Sequence, residues 1–154
     1  MSPVMDDLLI RSYQRQDEAG VVQLWLQCNL IVPQNHPQRD IHRKLRVNPE
    51  WFLVGLLGGH IVATCMAGYE GHRGWINYLA VSPHHRRQGI GRRIMEEAEK
   101  RLSAAGCPKI NLQVRETNRA VIQFYERIGY TRDPVASMGK RLVHDDPYNR
   151  DRST

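Results

Sequence analysis

Leu79-Ala80-Val81-Ser82-Pro83-His84-His85-Arg86-Arg87-Gln88-Gly89-Ile90-Gly91 is the stretch that decides how this chain is read. A strand ending Leu-Ala-Val passes through a proline and a basic, glycine-containing loop into the first turn of a helix. Such a junction has the physics of a phosphate cradle. Free N–H groups at a helix start carry partial positive charge, glycines let the backbone approach an anion closely, and arginines add charge-assisted hydrogen bonds. Two familiar glycine loops fail against these letters. A Walker loop needs Gly-Lys-Ser/Thr, whereas Gly91 is followed by Arg92-Arg93; a dinucleotide fingerprint needs a third glycine, whereas position 94 is Ile94. The plain alternative is a tight strand-to-helix turn at Gly89 and Gly91, with Arg86, Arg87, Arg92 and Arg93 as a solvated face.

Downstream, Gly89 to Ala105 has helical spacing, with Ile90, Ile94, Ala98, Leu102 and Ala105 on one stripe and Gly106 as the stop. Ile110 to Val114 reads as a strand, so Trp75 to Val114 forms one βαβ unit with a parallel pair. Asn118 to Ile128 is helical again, with Val121, Phe124, Tyr125 and Ile128 on one side and Gly129 as its stop. Ser137 to Val143 is expected to close the sheet as a last strand, and the charged stretch His144 to Thr154 to be a loose tail.

Upstream, Trp75 to Val81 is a strand, preceded by strands Trp51 to Leu57 and Ile61 to Tyr69 joined by a hairpin at Gly58-Gly59. Leu8 to Tyr13 reads as the first strand and Asp17 to Cys28 as the first helix; the stretch Val32 to Pro37 breaks it, and a shorter helix follows over Arg39 to Val47. The order β-α-α-β-β-β-α-β-α-β describes an α/β sandwich with a mixed, mostly antiparallel sheet flanked by helices. With no internal repeat or low-complexity linker, residues 1–154 are expected to form one domain.

The bulk properties agree. A chain of 154 residues with 41% hydrophobic content can bury a core without metals or disulfides. Three cysteines without a CxxC pair argue against a disulfide framework and against structural zinc. No apolar run approaches the roughly 20 residues needed to cross a bilayer, and Met1 to Asp7 lacks a signal pattern, so a cytoplasmic protein with no membrane partner is expected. The net charge of +6 suits an anionic partner. Its clustering at Arg86, Arg87, Arg92, Arg93, Lys100 and Arg101 suits a phosphate-sized ligand better than nucleic acid. His84-His85 has no carboxylate or cysteine close in sequence and is read as a pair of exposed loop residues; no metal site is expected. Trp25 and Trp51 are expected in the core, and Cys65, in a strand, as an inert buried thiol.

The hexapeptide Arg86-Arg87-Gln88-Gly89-Ile90-Gly91 resembles the acetyl-CoA pyrophosphate motif of the GNAT superfamily of N-acetyltransferases, Arg/Gln-x-x-Gly-x-Gly/Ala. The Leu-Ala-Val strand end before it and Asn118-x6-Tyr125-Glu126-x2-Gly129-Tyr130 after it extend the likeness over nearly the whole chain. Gly68 to Gly74, Gly106 to Ile110 and Gly139 to Leu142 are similar to the bacterial YpeA-type subgroup. The resemblance implies a GNAT fold whose parallel strand pair splays at the CoA site. It implies acetyl-CoA as cosubstrate, with main-chain groups of Leu79, Ala80 and Val81 on the pantetheine amides and Arg87 to Arg92 on the pyrophosphate. It also implies that Asn118 meets the cofactor arm and that Tyr125 lies near its sulfur. From the residues alone, Asn118 is equally a helix cap and Tyr125 equally a core residue.

The implied reaction is direct transfer of the acetyl group to a primary amine of a small molecule or protein, without an acyl-enzyme. A strand amide near Leu79 to Val81 would meet the oxyanion and Tyr125 would protonate the leaving thiolate. Glu70 is the first candidate base and His72 the second, with ordered water as the alternative; equally, Glu70-Gly71-His72 is a polar hairpin turn. Two rival readings stand beside this one: a catalytically idle acyl-CoA-binding module, which retention of Tyr125 disfavours, and a basic nucleic-acid-binding domain, which the lack of aromatic-basic interleaving disfavours. The resemblance leaves room for a homodimer.

Overall fold

The computed structural model describes residues 6–149. Its sheet has five strands in the order β1-β2-β3-β4-β5: β1 Leu9–Ser12, β2 Phe52–Leu57, β3 His60–Tyr69, β4 Gly74–Val81 and β5 Ile110–Leu112. Neighbours pair antiparallel except β4 and β5, which are parallel. The β2–β3 hairpin turns at Gly58 and Gly59, both left-handed (φ +55° and +80°), as a two-residue primed turn requires.

Helices cover both faces. On one lie α1 (Glu18–Gln27) and α2 (Pro37–Lys44), which bury Val21, Val22, Leu24, Trp25 and Ile41 against Phe52, Val54, Leu56, Met66 and Ala80. On the other lie α3 (Ile90–Ala104) and α4 (Arg119–Arg127), packing Ile90, Ile94, Met95, Ala98, Leu102 and Tyr125 against Leu53, Ala63, Cys65, Ala67 and Ile76. The period-2 alternation of β2 divides its side chains between the two cores, which is why that strand reads as one continuous apolar run. Trp25 is in the core as expected, while Trp51 is half-buried at the end of a short 3-10 turn.

Three expectations need correction. The second helix begins at Pro37 and ends at Lys44, two residues earlier and three earlier than its pattern suggested; Pro37, read as a breaker, is instead the first residue of the helix, where its missing N–H costs nothing. Ser137 to Val143 is not a strand: Met138 and Leu142 are 91% and 88% exposed, and no ladder forms. The chain runs beside β5 on side-chain contacts alone, Lys109 to Asp133 (2.7 Å) and Gln113 to Ser137, then crosses to α2. There Asp145 is buried, which corrects the third expectation, that the stretch from His144 is loose. Its carboxylate accepts from Arg43 (2.9 and 2.5 Å), and Arg39 lies 3.6 Å away, so the chain is drawn away from the sheet edge that a last strand would occupy. Residues 150–154 of the expected tail, and Met1 to Met5 at the start, lie outside the described residues.

Candidate active site

The site is built from the far half of β4. Thr64 pairs with Ala80 and Met66 with Asn77, so Tyr78 and Leu79 together oppose Cys65 alone. This is a β-bulge, with Tyr78 left-handed at φ +50°, a conformation that costs a bulky residue on the order of 1–2 kcal/mol. The bulge reverses the side-chain parity of the strand: Ile76 faces the α3 side, whereas Ala80, four residues on, faces α1. On its other edge β4 pairs with β5 only from Gly74↔Ile110 to Ile76↔Leu112. Leu79, Ala80 and Val81 therefore run past the last paired residue, and the two parallel strands splay there.

The loop after β4 is ordered by its own turns. Ser82 Oγ accepts from the His84 N–H and caps the 3-10 turn Pro83–His85, with His84 exposed and His85 half-buried. Arg87 and Gly89 are both left-handed (φ +62° and +80°), and Gly89 is the cap residue of α3. Left-handed residues alternating with others are the backbone that turns successive N–H groups to one side as an anion nest. The two glycines of the motif act differently. Gly89 supplies the left-handed cap, whereas a Cβ on Gly91 would stand 3.1 Å from Phe124 Cζ, so Gly91 admits the close approach of α4. Buried polar atoms at this junction, Gln88 Oε1 and His85 Nδ1, have no partner among the described residues. Arg86 lies beside the Cys28 thiol, which donates to Val81 O (3.3 Å); burial raises the Cys28 pKa and Arg86 opposes the rise. Exposed arginines and a left-handed cap at a helix start fit a pyrophosphate-bearing ligand.

Tyr125 is 7% exposed on α4, with Phe124 and Tyr130 packed edge-on at ring distances of 5.2 and 5.6 Å. Burial, then the nearby Cys65 thiol, raises its pKa and keeps the phenol neutral. Cys65 is the residue opposite the bulge and shares the α3-side core with Tyr125; the thiol itself is pushed up to about 12 by burial and is inert. Asn118 caps α4, its side chain accepting from the Val121 N–H (3.4 Å). Arg92 donates to Arg127 O (3.4 Å) across the same helix pair.

Glu70 is not brought to the site. It follows Tyr69, which pairs with Gly74 at the start of β4, while the splay lies at the end of β4. Leu79 to Val81 lie five to seven strand residues beyond Gly74, roughly 17 to 23 Å at 3.3 Å each. The Glu70 carboxylate accepts from the His72 N–H (2.9 Å) and the Arg73 N–H, so the polar-turn reading describes it, and His72 shares that turn. What the sequence reading missed lies on the α1 side. The Tyr78 ring stacks on Trp25 (3.8 Å) and its hydroxyl donates to Asp40 Oδ2 (2.6 Å). The letters carry no signal for it, because Ile76 and Ala80 are both apolar and an unbulged strand would set them on one face.

Comparison with known proteins fits this geometry. The acetyltransferase (GNAT) family matches residues 11–130. An acetyltransferase of Yersinia pestis (strain Pestoides F) is 45% identical over 139 residues, covering 90% of this chain and 99% of that protein. An acetyltransferase of Sodalis glossinidius is 46% identical over 140 residues, with the same coverage of each. Among solved structures, AAC(6')-Iy in complex with a bisubstrate analogue, CoA-S-monomethyl-acetylneamine, superimposes with a TM-score of 0.72 at 14% identity, over 88% of this chain and 99% of that one. The chain belongs to the GNAT acetyltransferase family.

Proposed function

We propose that the protein transfers the acetyl group of acetyl-CoA directly to a primary amine. The observation that carries this reading is the end of β4–β5 pairing at Ile76↔Leu112, with β4 continuing to Val81 and straight into the left-handed, arginine-flanked cap of α3. Main-chain groups of Leu79, Ala80 and Val81 take the pantetheine amides as an added strand would. Arg86, Arg87, Gln88, Gly89, Ile90, Gly91 and Arg92 hold the pyrophosphate, and Asn118, while capping α4, flanks the cofactor arm.

The thioester supplies an activated acyl group, so the protein has to align, polarise and protonate. An amide on the unpaired edge of β4 donates to the carbonyl oxygen as negative charge develops there. The amine nitrogen forms the new C–N bond as the C–S bond breaks, and the Tyr125 hydroxyl gives its proton to the departing thiolate. With Glu70 at the other end of the strand, we assign the proton lost by the amine to water at the open splay.

The test is thermal unfolding with and without acetyl-CoA, followed by thiol release over a panel of amines. A ligand at 100 times its dissociation constant adds about 2.7 kcal/mol of stability. A melting temperature that acetyl-CoA leaves unchanged, while NAD or ATP raises it, would overturn the assignment of the loop.

A further inference from the structure

We propose that Tyr78 is a positioning residue for the acetyl end of the ligand, and that the C-terminal segment, through Asp145, completes the clamp that holds it. The inference rests on the acetyl-CoA reading above. Tyr78 is the left-handed residue of the bulge, and the bulge determines which way the amides of Leu79, Ala80 and Val81 face. It is held at three separate points. Its carbonyl accepts from Thr64 Oγ1 (2.8 Å), and that hydroxyl accepts in turn from Trp25 Nε1 (2.9 Å). Its ring lies on the Trp25 indole at 3.8 Å and 14°. Its hydroxyl donates to Asp40 Oδ2.

The third point leads outward. Asp40 Oδ1 accepts from Arg43 (3.1 Å), and the same guanidinium holds Asp145 through both of its terminal nitrogens. The Asp145 carboxylate is 1% exposed, and Arg39 reaches it from the preceding helical turn. Arg43 thus bridges two carboxylates, one fixing the bulge and one fixing the chain end. Asp145 is 102 residues distant from Arg43 in sequence, so this contact exists only when the C-terminal segment has docked on α2. Asn35, in the loop before α2, adds a second anchor by accepting from Arg141. A surface tail tied only to a helix would have no bearing on the cofactor slot. This one is joined by three successive hydrogen bonds, Asp145 to Arg43, Arg43 to Asp40 and Asp40 to Tyr78, to the residue that shapes it.

The readout is a ratio. Pyrophosphate and adenylate contacts are common to CoA and acetyl-CoA, whereas the carbonyl contact belongs to acetyl-CoA alone. Dissociation constants for both are measured by calorimetry on the full chain. In Tyr78→Phe, affinity for acetyl-CoA should fall at least threefold while affinity for CoA changes less than twofold. Asp145→Asn, which leaves the core untouched, should move the ratio the same way, and the double variant should do no more than the larger single change. Folded variants with an unchanged ratio, or with both ligands weakened equally, would overturn the clamp. If wild-type protein binds neither ligand, the acetyl-CoA reading fails, and the clamp loses its ligand with it.

Discussion

Tyr125 separates packing from chemistry at the level of one atom. Its ring fills space between Phe124 and Tyr130, while its hydroxyl has no hydrogen-bond partner among the described residues. Tyr125→Phe should therefore keep stability within about 0.5 kcal/mol and keep CoA affinity. Turnover with any amine that releases thiol should fall roughly 10²- to 10⁴-fold if the phenol is the general acid; near wild-type turnover would remove it from the mechanism. The two glycines of the loop make a second pair of opposed expectations. Asn tolerates the left-handed region, so Gly89→Asn (φ +80°) should stay folded while its side chain obstructs the phosphate, weakening CoA by about tenfold or more, about 1.4 kcal/mol. Gly91→Val should instead destabilise the fold by about 1–3 kcal/mol, because the new side chain meets the Phe124 ring. Equal effects of the two changes on CoA binding would show that the glycines are not divided in this way.

At the scale of elements, the βαβ unit depends on one narrow point. A Cβ on Gly74, the first residue of β4, would lie 2.8 Å from Cys107 Sγ, 3.2 Å from Ile110 Cγ1 and 3.3 Å from Leu102 Cδ1, where α3 ends and β5 begins. Gly74→Ala should cost about 1–3 kcal/mol in urea unfolding. An unchanged midpoint would mean that the β4–β5 junction yields freely. Most elements were legible because they repeat a period: of the expected stripe, Ile90, Ile94, Ala98 and Leu102 are buried along α3, Ala105 is exposed just past its last residue, and Gly106 follows at φ +89°. The site was less legible for a geometric reason. The Arg86–Gly91 loop is local in sequence and could be read from its letters. The antiparallel register that sends Glu70 away from the splay, and the bulge that turns Tyr78 toward Asp40, are properties of paired strands. The Ser137–Val143 strand failed because a strand-like pattern has no hold on a chain that Asp145 draws elsewhere.

The whole molecule is tied at its two ends by carboxylates, which sets how it should respond to acid. Near the start, Asp17 is 5% exposed and accepts from both terminal nitrogens of Arg11 (2.7 and 3.0 Å) and from the Gln14 N–H (2.8 Å), joining β1 to the entry of α1. Burial works to raise its pKa, but the Arg11 and Gln14 hydrogen bonds and the Arg11 charge outweigh it, and the net shift is downward. At the far end, the hydrogen bond from Arg43 holds Asp145 well below the usual carboxylate range against the opposing effect of burial. A carboxyl whose folded pKa is depressed contributes stability above its unfolded value, about 3.9, and loses it as pH falls through the folded value. Both ends therefore loosen in the same direction, below pH ~4. Asp17→Asn removes the charge while keeping the shape, so at pH 7 it should cost about 2 kcal/mol, the scale of hydrogen bonds to a charged group. The difference from wild type should then shrink as pH falls below ~4, because the wild-type carboxylate is itself being neutralised there. Urea unfolding at a series of pH values from 7 to 2 measures that difference directly. A gap that stays constant across the series would mean that Asp17 contributes through packing, and that its pairing with Arg11 carries no net ionic stabilisation.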